Sequence, residues 1–200
     1  MSNERCIWFE FDLPKEIKDK IHLWRLVYLN EYYNKAKPWN KNRLHTTYMY
    51  CGDKFDYTTE ELKKILNTMD YTPTVKISNF KRGDWSPVYF LTLEEVENSS
   101  GRTHHDAFRE AYKIATSKNR SIGMHGHVGG RKHPGMHVTI FWGQKDKKVD
   151  SKVIEKAKKS FFKELEKEKI ENFQFTSVRV MSENPRTKED YVVFEKKFIK

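Results

Sequence analysis

The sequence predicts an α+β domain made of two similar lobes, and three observations carry that prediction. Strand-like and helix-like segments alternate along the 200 residues. Their order in the second part of the chain roughly repeats their order in the first. No linker-like or low-complexity stretch divides the chain, so one domain over residues 1–200 is expected.

The elements follow in order. Residues 6–13 (CIWFEFDL) are apolar and aromatic and read as a first strand. Pro14 suits the first turn of a helix. In that helix Ile17, Ile21, Trp24 and Tyr28 recur at helical spacing, and the pattern fades by Tyr33. Residues 37–43 hold Pro38, Asn40 and Asn42 and read as a loop. Residues 44–51 (LHTTYMYC) read as a strand. Thr58 or Thr59 then caps a helix that ends near Met69, with Glu61 in its first turn. Residues 72–80 and 87–93 make two more strands around a turn at Gly83 and Asp84. A helix is expected over 104–117. Residues 121–135 (SIGMHGHVGGRKHPG) are glycine-rich and basic, carry three histidines, and read as a loop. Residues 136–142 (MHVTIFW) are a strand, with Val138, Ile140 and Trp142 expected on its core face. Residues 151–169 form an amphipathic helix with Val153, Ile154, Ala157, Phe161, Phe162 and Leu165 inward. Residues 173–181 and 191–199 are two final strands around a turn at Asn184 and Pro185.

Composition narrows the class. Aromatics make up 14% of the chain, so few but large side chains can fill a core. No apolar run approaches the roughly 20 residues a membrane span needs, and the N-terminus lacks a signal-peptide pattern. The only cysteines are Cys6 and Cys51, too few for a disulfide framework. A cytoplasmic protein with free thiols is expected. The formal net charge of +10 suits a polyanionic ligand such as a nucleotide or RNA. Lysine-rich helix faces such as 147–169 account for part of it.

Two triplets carry the chemistry. His45-Thr46-Thr47 and His137-Val138-Thr139 share the pattern His-x-Thr. Residues two apart on a strand face the same way, so each His stands beside its Thr and the middle residue faces away. One such triplet is an expected accident in a chain with 8 histidines. Two that open short aromatic strands at matching places in a repeated pattern are not. Phosphodiester cleavage needs a base to activate the nucleophile and an acid to protonate the leaving oxygen. Histidine does both near neutral pH. Thr47 and Thr139 can donate to the non-bridging phosphate oxygens, which carry the charge of the transition state. Such a site needs no metal ion and no cofactor.

These residues, LHTTYMY at 44–50 and MHVTIFW at 136–142, resemble the 2H phosphoesterase superfamily. The closing segment 173–198, ending YVVFEKKF, is similar to that family's terminal hairpin. The resemblance implies two pseudo-symmetric lobes, each a small antiparallel sheet with outer helices, around a central cleft that holds both motifs. It implies a hydrolase of nucleotide phosphodiesters: 2',3'-cyclic phosphates, ADP-ribose cyclic phosphate, 2'-5' oligoadenylates or cyclic oligonucleotide messengers. The LHTT form looks most like phage anti-CBASS nucleases, which destroy cyclic nucleotide immune signals, and related viral proteins act on cGAMP. The implied partner is a nucleotide or oligonucleotide, with no membrane and no obligatory protein partner. The loop at 121–135 is long for the simpler bacterial members.

Other residues could serve a nucleotide cleft. Arg131 and Lys132, with glycine amides around them, could contact phosphate. Trp39 and Tyr191 are the preferred candidates for stacking a base, ahead of Tyr48, Trp85 and Trp142. His104-His105-Asp106 and the group His125, His127 and His133 could suggest zinc, yet no carboxylate or cysteine with ligand spacing completes the loop set. Two readings from other classes stay open: a non-catalytic nucleotide- or RNA-binding domain, and a metal-dependent hydrolase.

Overall fold

Apolar side chains at every second position of residues 7–11 divide the first strand into two faces. Ile7, Phe9 and Phe11 are at most 1% exposed, while Trp8, Glu10 and Asp12 share the opposite face. This division runs through the whole sheet. The computed structural model of the chain describes residues 6–32, 44–53, 57–83, 87–96, 101, 106–107, 110, 136–143, 148–184, 186–187 and 189–198. Within them the elements are β1 (Cys6–Asp12), α1 (Lys15–Leu29), β2 (His45–Asp53), α2 (Thr59–Thr68), β3 (Thr74–Arg82), β4 (Val88–Glu95), β5 (His137–Trp142), α3 (Ser151–Lys167), β6 (Phe173–Gln174), β7 (Ser177–Glu183) and β8 (Asp190–Lys197).

The eight strands form one antiparallel sheet in the order β6-β3-β4-β5-β2-β1-β7-β8. It divides into two four-stranded halves that meet where β2 pairs with β5. The halves correspond: β1, α1 and β2 stand in one as β4, the helical residues Asp106, Ala107 and Glu110, and β5 stand in the other. One half takes β1, β2, β7 and β8 from the two ends of the described chain, and the other takes the stretch between them, β3 to β6. The expected fold class holds, with the two lobes joined edge to edge.

Helices α1, α2 and α3 cover the face that carries Ile7, Phe9 and Phe11. Trp24 of α1 fastens two of them. Its Nε1 donates to the Ala157 carbonyl at 2.8 Å, and its ring meets Phe161 of α3 at 4.7 Å and Phe80 of β3 edge-on at 5.0 Å. The Thr58–Glu61 capping box opens α2, which buries Leu62, Ile65 and Leu66. Lys196 of β8 donates to the carbonyls of Asn67 and Met69 at the other end of that helix.

Two expectations are corrected. The strand read over 173–181 is two strands at opposite ends of the sheet, β6 beside β3 and β7 beside β1. Phe175 turns the chain between them by stacking on Phe11 at 4.8 Å, which interrupts the alternation. Trp142 is not a core residue but 42% exposed; Phe141 takes the core position, stacked on Tyr89 at 4.4 Å. The helix expected at 104–117 and the loops at 37–43 and 121–135 lie largely or wholly outside the described residues. No helix among the described residues is long and apolar enough to cross a membrane.

Candidate active site

The two halves of the sheet touch at the motifs. The β2–β5 register is the antiparallel pair Thr46↔Val138, the middle residues of the two triplets. Both are fully buried on the helix side. Continuing the register by one residue sets His45 across from Thr139 and Thr47 across from His137 on the open face. On a regular ladder such residues are near neighbours on one face. All four side chains are half-buried.

Thr46 explains why the first triplet carries two threonines. Its Oγ1 donates to the His137 carbonyl at 2.7 Å and ties one motif to the other across the seam. Thr46→Val keeps the shape and leaves that carbonyl short of a partner. We expect a loss of about 1–2 kcal/mol in urea unfolding.

The pairings continue the open face outward in two rows. One row runs Asn79, Thr92, His137, Thr47, Glu10, Arg179, Glu195. The other runs Lys81, Phe90, Thr139, His45, Asp12, Ser177, Lys197. The surroundings of the two histidines therefore differ. Around His45 stand charges: its Nε2 lies 3.3 Å from Glu10 Oε2, and Arg179 Nη2 bridges Glu10 Oε1 at 2.6 Å and Asp12 Oδ1 at 2.7 Å. Lys18 of α1 reaches Asp12 at 2.6 Å. Beside His137 stands an aromatic ring, Phe90, at 5.0 Å between centroids, with Lys81 Nζ 5.7 Å from that ring. Thr92, next in the row, shares a 2.9 Å hydroxyl contact with Ser78.

No family model and no curated protein matches the sequence. Solved structures do. The apo form of E. coli LigT matches with a TM-score of 0.55 at 16% identity, covering 100% of each chain. E. coli LigT complexed with ATP gives 0.57 at 13% identity over 98% of this chain and 99% of that one. A crystal structure of a phosphoesterase gives 0.56 at 15% identity over 100% of both. The fold is LigT-like.

One irregularity of this LigT-like sheet changes what faces the cleft. Tyr89 pairs with Phe141 and the next residue, Phe90, pairs with Thr139, so Ile140 is an extra residue in β5. The bulge keeps Thr139 on the open face, sends Ile140 and Phe141 both inward, and returns Trp142 to the open face. Arg25 of α1 donates to the bulged Ile140 carbonyl at 3.0 Å from beneath. Burial lowers Arg25 to about 10.

Trp39, Arg131 and Lys132 lie outside the described residues, as do His104, His105, His125, His127 and His133. Among the described residues no three His, Cys, Asp or Glu gather as metal ligands. The structure does not bring Tyr191 to the motifs. It pairs with Ser182, which pairs with Ile7 on the helix-side face, and β8 is three strands from β2. Its side chain therefore belongs to the opposite face. Trp142, on the open face, is the better placed aromatic. Glu10 and Arg179 were missed in the sequence. The available signal was Glu10 and Asp12 alternating with Phe9 and Phe11 in CIWFEFD, two acids on one face of a buried strand.

Proposed function

We propose that the protein is a metal-independent phosphodiesterase acting on a nucleotide phosphodiester, with His45 and His137 as acid and base and Thr47 and Thr139 holding the phosphate. One observation carries this reading. The β2–β5 seam pairs Thr46 with Val138, the middle residues of the two triplets, which supports gathering the flanking histidines and threonines on the opposite face. E. coli LigT, whose fold this chain shares, has been crystallised with phosphate, 3'-AMP, ATP and NADP+, which supports a nucleotide ligand here. The net charge of +10 supports a polyanion.

Within that class the substrate favoured by the LHTT motif is a cyclic oligonucleotide messenger of the cGAMP kind, with a role in viral evasion of immunity and a cytoplasmic site of action. RNA 2',3'-cyclic phosphate and 2'-5' oligoadenylate are the alternatives. Trp39, Arg131 and Lys132 are proposed to extend the site toward base and phosphate. A water nucleophile gives a linear monoester and a neighbouring 2'-OH gives a cyclic phosphate.

The test is a panel of cyclic dinucleotides, cyclic trinucleotides, 2'-5' oligoadenylate and 2',3'-cyclic mononucleotides, with products resolved by chromatography. We expect turnover of at least one linkage, unchanged by excess EDTA. Substrates all intact after long incubation with stoichiometric protein would replace the enzyme by a binding domain. Loss on chelation, restored by zinc, would replace it by a metal-dependent hydrolase.

A further inference from the structure

The open face carries different charge on the two sides of the β2–β5 seam. On the β1–β7 side cations serve acids: Arg179 bridges Glu10 and Asp12, and Lys18 reaches Asp12. On the β4–β3 side the face carries Val88, Phe90, Thr92 and Asn79, with the exposed Trp142 of β5 beside Val88. Further along, Lys76 is paired with Glu94 at 3.2 Å. Lys81 of β3 is different. It is exposed, and among the described residues no carboxylate pairs with it. Its Nζ lies 5.7 Å from the centre of the Phe90 ring, and that ring lies 5.0 Å from the His137 imidazole.

We infer that Lys81 binds a second phosphate of the substrate, the neighbour of the one proposed to react at the histidines. The substrate is then an oligonucleotide, linear or cyclic, that runs from the seam across β5 and β4. This rests on the phosphodiesterase reading above and names its substrate class. The register supplies the direction. Lys81, Phe90 and Thr139 pair in one row across β3, β4 and β5. Adjacent strands are about 4.8 Å apart, so two strand steps set the Lys81 backbone about 10 Å from that of Thr139. The lysine side chain leans over Phe90, the residue between them, and shortens that span. Phosphates one ribose apart in a nucleotide chain can occupy two such positions.

The chemistry of the two sides favours this course. A cation–π contact uses no N–H donor in a hydrogen bond, so the Lys81 ammonium can still donate to a phosphate. Phe90 is buried beneath it, which keeps water from one side of the charge and weakens screening there. A chain running the other way, over β1, would bring its phosphate against Glu10 and Asp12. Arg179 is already engaged by both carboxylates.

The experiment is calorimetric binding to the full-length protein in the His137→Ala background, where turnover is suppressed. The probes are 2'-5' linked diadenosine with its single phosphate, and the same dimer with an added phosphate at its 5' end or at its far 3' end. We expect one added phosphate to tighten binding about tenfold, with the gain falling as salt rises by a slope of about 0.7, one phosphate's share on a single strand. Lys81→Ala abolishes that gain and its salt dependence, and leaves the affinity for the bare dimer within about twofold. Lys81→Arg retains the gain, and Lys81→Glu turns it into a loss. Lys197→Ala, at the far end of the same row, keeps it. No gain from either added phosphate overturns the inference, as does an equal gain with and without Lys81. Equal weakening of all three dimers by Lys81→Ala overturns it too, because the lysine then acts on the fold or the general field. Failure of every dimer to bind also defeats it. Turnover of any substrate in the panel above would, in each of these cases, leave the phosphodiesterase standing without Lys81.

Discussion

His137→Ala is expected to lower kcat about a thousandfold, and His45→Ala by a similar factor. General acid–base catalysis by one positioned side chain contributes about 10²–10⁴-fold, and in the proposed mechanism each ring is one half of a proton relay across a single phosphate. Substrate affinity is expected to change far less. Thr47, Thr139 and the sheet backbone remain in place, and neither half-buried histidine supports the core. The double variant should be scarcely worse than either single one, because two residues acting on the same transition state fail together. Steady-state kinetics with equilibrium binding on the inactive variants separates the two effects. Full activity in either single variant would sink the mechanism.

The second large effect concerns stability. Arg179→Met should destabilise the fold by about 3–5 kcal/mol, the usual consequence of removing one member of a buried ion pair. The side chain is 14% exposed, and its Nη2 serves both Glu10 and Asp12. Without it, Asp12 retains Lys18, whereas among the described residues Glu10 keeps Trp8 and His45. The uncompensated charge is therefore that of Glu10. Combining Arg179→Met with Glu10→Gln removes the charge and should recover a substantial part of the loss. Urea unfolding of the four proteins closes a double-mutant cycle, and additivity of the two single effects would argue against the pair.

Much of the fold was legible because it depends on local pattern. The α1 periodicity, the capping box at Thr58 and Glu61, and the alternation in MHVTIFW all act within a few residues. The reading failed where a distant contact decides the outcome. Residues 173–181 look continuous, and only the stacking of Phe175 on Phe11 breaks them in two. Trp142 fits the core side of a regular strand, and only the extra residue at Ile140, set by pairing with β4, turns it outward. The motif histidines were visible as a repeated triplet. Glu10 and Arg179 were not, because 169 positions separate them along the chain and only the β1–β7 pairing makes them neighbours. Tyr191 was misjudged for the same reason, since a strand's facing is fixed by its register and not by its composition.

The insertion of one half within the other has a consequence for biosynthesis. β1 lies between β2 and β7, and Ile7 pairs with Ser182, so the half that carries His45 stays open along one edge until β7 has left the ribosome. Closure across so long a span is slow on entropic grounds. A nascent chain already containing both triplets would still lack Arg179 and the anchoring of Glu10. The proposed activity thus needs the chain through β7, and a segment holding the two motifs alone is expected to be silent.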